Sequence, residues 1–119
     1  MTEDQFYEIW NRACAHVGND GAQSLEGDVA LTRMLLGHGY IMNGGLQHFE
    51  DLSEQEKQES IAGFRFFSFD QIADVILGVP KLSDNELDAA QNAYLEFDSA
   101  MVDKVRSYVE ANPQQFRTS

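Results

Sequence analysis

The chain has a single cysteine, Cys14, which excludes an intrachain disulfide and leaves a cysteine-based zinc site without a second thiolate. A reducing compartment, the cytoplasm, suits it best. Long apolar runs are missing too: no stretch approaches the ~18 residues a membrane span requires. The start, Met1-Thr-Glu-Asp-Gln-Phe6, is acidic and carries no basic segment ahead of an apolar one, so no export signal is visible. Two prolines and nine glycines are too few for a low-complexity chain, and eight phenylalanines, four tyrosines and Trp10 are too many for a disordered one. Positive charge is the scarcest resource. Eight Lys and Arg stand against twenty Asp and Glu, a net charge of -12, and such a field repels phosphate backbones and anionic membranes. The expected partner is therefore another protein with a basic surface, with no direct nucleic-acid or membrane binding.

What is present suffices for one core. At 119 residues and 43% hydrophobic content, a single domain buries roughly two-thirds of the surface its unfolded chain exposes. Apolar residues at Phe6, Ile9, Trp10, Ala13, Cys14 and Val17 make one helical stripe over residues 3 to 17, with Thr2 and Gln5 as a capping box and Gly18 as a stop. A polar loop from Asn19 to Ser24 leads to a second helix over about 25 to 37, carrying Leu25, Val29, Leu31, Met34, Leu35 and Leu36 and ending near Gly37-His38-Gly39. A short connection from Tyr40 then precedes a helix that Asn43 caps, with Leu46 and Phe49 on one face. Ser53 and Glu56 form a second capping box, opening a helix with Ile61 and Phe64 inward and Glu54, Gln58 and Glu59 toward water. Ser68 starts a helix with Ile72, Val75, Ile76 and Val79, which Gly78 and Pro80 end. Ser83 and Glu86 form a third box, and Leu87, Ala90, Tyr94, Phe97, Met101, Val105 and Tyr108 follow at steps of three or four up to Asn112-Pro113. At ~1.5 Å per residue this last helix spans roughly 40 Å, leaving room for a kink or a protruding end. The fold class is all-α: one domain, residues 1 to 119, of about six helices, without strand alternation or internal repeat.

No spacing of chemical groups specifies catalysis, a cofactor or a metal. His16 lies two residues from Cys14, so on a helix the two point to different sides. His38 and His48 lack an H-x-x-x-H or H-E-x-x-H spacing. The acids Glu50, Asp51, Glu54, Glu56 and Glu59 contain no calcium-loop pattern, and a glycosidase pair needs two carboxylates across a cleft. Glu3, Asp4, Glu54, Glu56, Asp84 and Glu86 fall in first turns of helices, where a negative charge is favourable by ~0.3–1 kcal/mol. On the last helix Asp88, Glu96, Asp103 and Glu110 recur at steps of eight, seven and seven, a polar stripe opposite the aromatic one. A seven-residue step climbs ~10.5 Å whereas DNA offers a phosphate every ~3.4 Å per strand, so mimicry of DNA needs carboxylates from neighbouring helices or a second subunit. Asn43-Gly44-Gly45 is the most distinctive short motif; its glycines permit close approach or unusual backbone angles, and without a Lys-Ser or Lys-Thr after it a phosphate cradle is the poorer reading.

The run Asn43-Gly44-Gly45-Leu46-Gln47-His48-Phe49, the helical block from about Ile61 to Leu77 and the ending Tyr108-Val-Glu-Ala-Asn-Pro-Gln-Gln-Phe116 together resemble the small bacterial DNA-mimic (DMP-type) domain family, over roughly residues 25 to 117. The resemblance implies an all-helical fold and, from the characterised type, an acidic dimer that occupies the DNA-binding surface of a transcription factor. The reading that follows is a non-enzymatic, acidic protein-binding module, with Glu50, Asp51, Glu54, Glu56, Glu59, Asp88, Glu96 and Asp103 facing the partner and Asn43, Gly44 and Gly45 as a structural motif. An immunity protein that neutralises a co-encoded toxin is the alternative, and a hydrolase with a carboxylate and histidine site is the third. Homodimerisation would use an exposed part of the long helix or the aromatic cluster Phe64, Phe66, Phe67 and Phe69, which more simply forms core.

Overall fold

Three helices begin where a capping box stands. Thr2 Oγ1 accepts from the Gln5 amide while Gln5 Oε1 accepts from the Thr2 amide, and Ser53 with Glu56 and Ser83 with Glu86 repeat the exchange. Each box satisfies two amides that a helix start otherwise leaves open. In the computed structural model, which describes residues 1–118, the helices are α1 (Glu3–Ala15), α2 (Glu26–Gly44), α3 (Glu54–Phe66), α4 (Asp70–Gly78) and α5 (Asp84–Ala111). Short 3₁₀ turns at Asp20–Ala22, Leu46–Asp51, Val79–Lys81 and Pro113–Gln115 join or follow them, and there is no strand among the described residues.

The fold is all-α, as expected, but two boundaries differ. Helix α1 ends at Ala15 rather than at residue 17, with Gly18 at φ +83° in the turn after it, and its inward stripe is Phe6, Ile9 and Ala13. Cys14 falls outside that stripe on the helix and Val17 lies in the turn, and both are exposed. Helix α2 does not stop at Gly37-His38-Gly39 but runs on to Gly44. Gly37 is there for packing: a β-carbon on it would overlap Ser60 Oγ of α3 and lie 2.9 Å from Phe49 Cε1. Gly63 answers from the other side, where a β-carbon would lie 2.6 Å from the Ala30 carbonyl oxygen and 2.7 Å from the Met34 amide nitrogen. The two backbones thus cross in direct contact, and α2 is buried on several sides through Ala30, Leu31, Met34, Leu35 and Ile41.

Helix α5 runs the length of a body that measures 46 × 26 × 20 Å. Its buried residues, Ala90, Tyr94, Met101, Val105 and Val109, extend from near its start to its last turn, so it packs along the body rather than protruding. The cluster Phe64, Phe67 and Phe69 is buried, and Phe66 packs on Tyr108 and Phe67 at centroid distances of 5.2 and 5.1 Å. It is core. The chain end closes over it: the Tyr108 hydroxyl donates to Gln115 Oε1 at 2.7 Å, Asn112 Nδ2 donates to the Tyr108 carbonyl at 3.0 Å, and buried Phe116 rests against Gly27. Among the described residues no helix is long and apolar enough to cross a membrane.

Candidate functional site

The acids ahead of and within α3 are occupied internally. Glu50 and Glu54 share the Lys57 ammonium at 3.0 and 2.8 Å, and their hydrogen bonds, Glu54's foremost, raise the Lys57 pKa. Glu59 does not face water freely; it pairs with Arg33 at 2.8 Å, and Arg33 also holds Asp20 at 2.5 Å. Glu56 accepts from the Ser53 amide at 3.0 Å, and Asp51 lies 3.2 Å from His48 Nε2. A carboxylate that already has a cation offers less field to an outside partner.

Helix α5 is different. Its outward line reads Asn85, Asp88, Asn92, Glu96, Ser99, Asp103, Ser107 and Glu110 at steps of three or four; every member is exposed and none is basic. Glu110 is paired with Arg106 at 3.0 Å, whereas Asp88, Glu96 and Asp103 have no ion pair among the described residues. The chain contains no Lys or Arg between Arg33 and Lys57, nor between Lys81 and Lys104, and the fold lays these two cation-free stretches against each other. His38 Nδ1 is 2.7 Å from the Tyr94 hydroxyl, His38 Nε2 is 3.2 Å from Asp98 Oδ1, and the Leu46 amide donates to Gln91 Oε1 at 2.9 Å. The acids of the 82–103 stretch have no ion pair with Lys or Arg among the described residues. The gaps between cations were visible in the sequence, but that the gaps meet depends on long-range contacts between α2 and α5.

The arrangement at His38 satisfies every atom when Nε2 carries the proton for Asp98 and Nδ1 accepts from Tyr94. Burial raises the Tyr94 pKa well above its ordinary value, which keeps this hydroxyl protonated as a donor. Burial also lowers the His38 pKa from its ordinary 6.5, with the Asp98 charge opposing in part. The folded protein thus holds His38 neutral at a pH where the unfolded chain has begun to protonate it. The stability this contributes is complete above pH 6.5 and is lost as pH falls through the lowered value. Between about pH 7 and 5 the melting temperature should fall less steeply for His38→Gln than for the native chain, with His16 and His48 common to both; parallel slopes would contradict the assignment.

Asn43 caps nothing: it lies exposed in the last turn of α2, and the segment after it is a 3₁₀ run rather than a capped α-helix. The two glycines are what the joint needs. Gly45 takes φ +89°, and a β-carbon on Gly44 would lie 2.6 Å from the His48 ring. That ring donates from Nδ1 to the Tyr40 carbonyl at 2.8 Å and stacks on Tyr40 at 5.0 Å. The amides of Leu46 and His48 are taken by Gln91 and by the Gly45 carbonyl, so they form no phosphate cradle. Of the resembling motifs, this joint and the Tyr108 to Phe116 ending both hold the fold together.

One buried charge was not anticipated. Asp28 is 2% exposed; its Oδ1 accepts from Arg12 Nη2 at 3.1 Å and its Oδ2 from the Arg117 amide at 2.8 Å, while Arg12 also donates to the Arg117 carbonyl at 2.6 Å. In an acid-rich sequence nothing distinguishes Asp28 from solvated carboxylates. Among the described residues no three His, Cys, Asp or Glu side chains are grouped to hold a metal ion. No protein-family model, curated protein or solved structure matches the chain.

Proposed function

We propose that this chain is an acidic protein-binding module that presents the outward face of α5 to a basic protein surface, in the manner of a DNA mimic. The observation that carries the proposal is the row of exposed Asp88, Glu96 and Asp103 on a line without cations, none of them in an ion pair among the described residues. The acids Glu50, Glu54 and Glu59, neutralised by Lys57 and Arg33, are secondary. Uncompensated charges of one sign steer a partner of the other sign and set the register of the encounter. The partner class is a basic protein, a DNA-binding one foremost.

The test is displacement of duplex DNA from basic DNA-binding proteins of the source cell, titrating in the native chain or a neutralised variant. Exposed ion pairs contribute about 0.2–1 kcal/mol each, so Asp88→Asn, Glu96→Gln and Asp103→Asn together should weaken displacement roughly 3- to 150-fold. Glu50→Gln, Glu54→Gln and Glu59→Gln together should change it less. No loss from the α5 set would remove α5 from the interface, and equal loss from both sets would overturn its priority over Glu50, Glu54 and Glu59.

A further inference from the structure

We infer that the interface has an apolar anchor point, the cleft between Met42 and Leu95, and that its occupant is a basic amphipathic helix of the partner inserting one large apolar side chain. The inference rests on the protein-binding reading above and adds what an electrostatic surface alone lacks. Met42 is 44% and Leu95 54% exposed, and the two rim one cleft of about 200 Å³, room for a leucine or phenylalanine side chain. Its remaining walls are Ile41, Gly45, Gln91 and Tyr94.

Two of the polar atoms of those walls are already engaged. The Tyr94 hydroxyl goes to His38 and Gln91 Oε1 to the Leu46 amide, so the cleft offers mainly the Tyr94 ring and aliphatic carbon, with the Gln91 Nε2 group at its wall. Such a pocket takes an apolar group at little desolvation cost and gains by covering Leu95 and Met42. The surroundings decide whose group it is. Asp88 stands two helical turns before Leu95 on the same side, Asp98 one turn after it, and neither cation-free stretch supplies a Lys or Arg. A second copy would bring the same uncompensated carboxylates against their like, which is unfavourable. A helix with an apolar stripe flanked by lysines or arginines complements both features at once, the groove-binding mode in which side chains at helical spacing serve as anchors.

Two synthetic probes separate anchor from charge: a lysine and leucine amphipathic helical peptide, and an oligolysine of equal charge, each titrated at low salt into the isotope-labelled chain and followed by NMR. The amphipathic peptide should bind roughly tenfold more tightly than oligolysine and shift the signals of Met42, Tyr94 and Leu95. Leu95→Ser should abolish that advantage, and Met42→Gln should reduce it, with oligolysine affinity and melting temperature unchanged. Equal affinity of the two peptides, or an advantage that survives Leu95→Ser, would overturn the anchor. Concentration-dependent dimerisation abolished by Leu95→Ser would overturn it too, by making the face a self-association surface. Failure of the underlying reading looks different: neutralising Asp88, Glu96 and Asp103 would then leave the affinity of both peptides unchanged.

Discussion

Gly63→Ala should destabilise the protein by more than about 3 kcal/mol, although the same change inside an exposed helix stabilises by about 0.5–1 kcal/mol. The new methyl group would meet backbone, the Ala30 carbonyl oxygen at 2.6 Å and the Met34 amide nitrogen at 2.7 Å, and neither can rotate aside as a side-chain tip does. Relief requires α3 to move off α2, which strips cover from Met34 and Phe64, both fully buried. Gly39→Ala is the matched control. It lies in the same α2, is exposed, and a β-carbon there meets nothing within 4 Å. Thermal unfolding of the pair should show opposite signs, with a fall of more than roughly 10 °C for Gly63→Ala and a small rise for Gly39→Ala. Matching small shifts would mean that the crossing is looser than described.

Removing the buried carboxylate is the second large effect. Asp28→Ala should cost about 3–5 kcal/mol, nearer the lower figure because the Arg12 side chain retains 17% exposure. The loss combines two causes. Arg12 is left without its ionic partner, and the Arg117 amide loses its acceptor. Because Arg12 and Asp28 together bracket the Arg117 peptide unit, their separation should also release the chain end that places Phe116 on Gly27. Asp28→Asn, which keeps an acceptor oxygen but not the charge, should lose less. Limited proteolysis after Asn112 reports the second cause separately from global stability: accelerated cleavage is expected in Asp28→Ala, and unchanged cleavage would confine the role of Asp28 to the ion pair.

Local chemistry made much of the fold legible. The capping boxes at Thr2, Ser53 and Ser83 are written in residues three apart, and the inward rows of α1 and α5 in steps of three and four; both signals survive without knowledge of the neighbours. Glycine misled for the opposite reason. At Gly37 it looks like a helix stop, yet the neighbour, α3, needs the missing β-carbon, and no local pattern distinguishes a packing glycine from a terminating one. Asn43 suggested a cap for the same lack of context. The candidate surface was half legible. Asp88, Glu96 and Asp103 fall on the outward line that helical spacing gives them, while the neutralisation of Glu59 by Arg33 and the pairing of Asp98 with His38 join residues far apart in the chain. Glu50, Asp51 and Glu54 looked equivalent to the α5 acids because charge counts do not show which carboxylates have a cation beside them.

The central claim, that an uncompensated anionic face on α5 engages a basic protein, is tested most directly by the salt dependence of affinity for a basic protein recovered on the native chain from its own cells. From about 0.05 to 0.3 M salt, where screening shortens to within a few residues, affinity should drop steeply, and the variant with Asp88, Glu96 and Asp103 neutralised should bind more weakly and with a shallower dependence. An affinity indifferent to salt, or one that the three substitutions leave untouched, would contradict it.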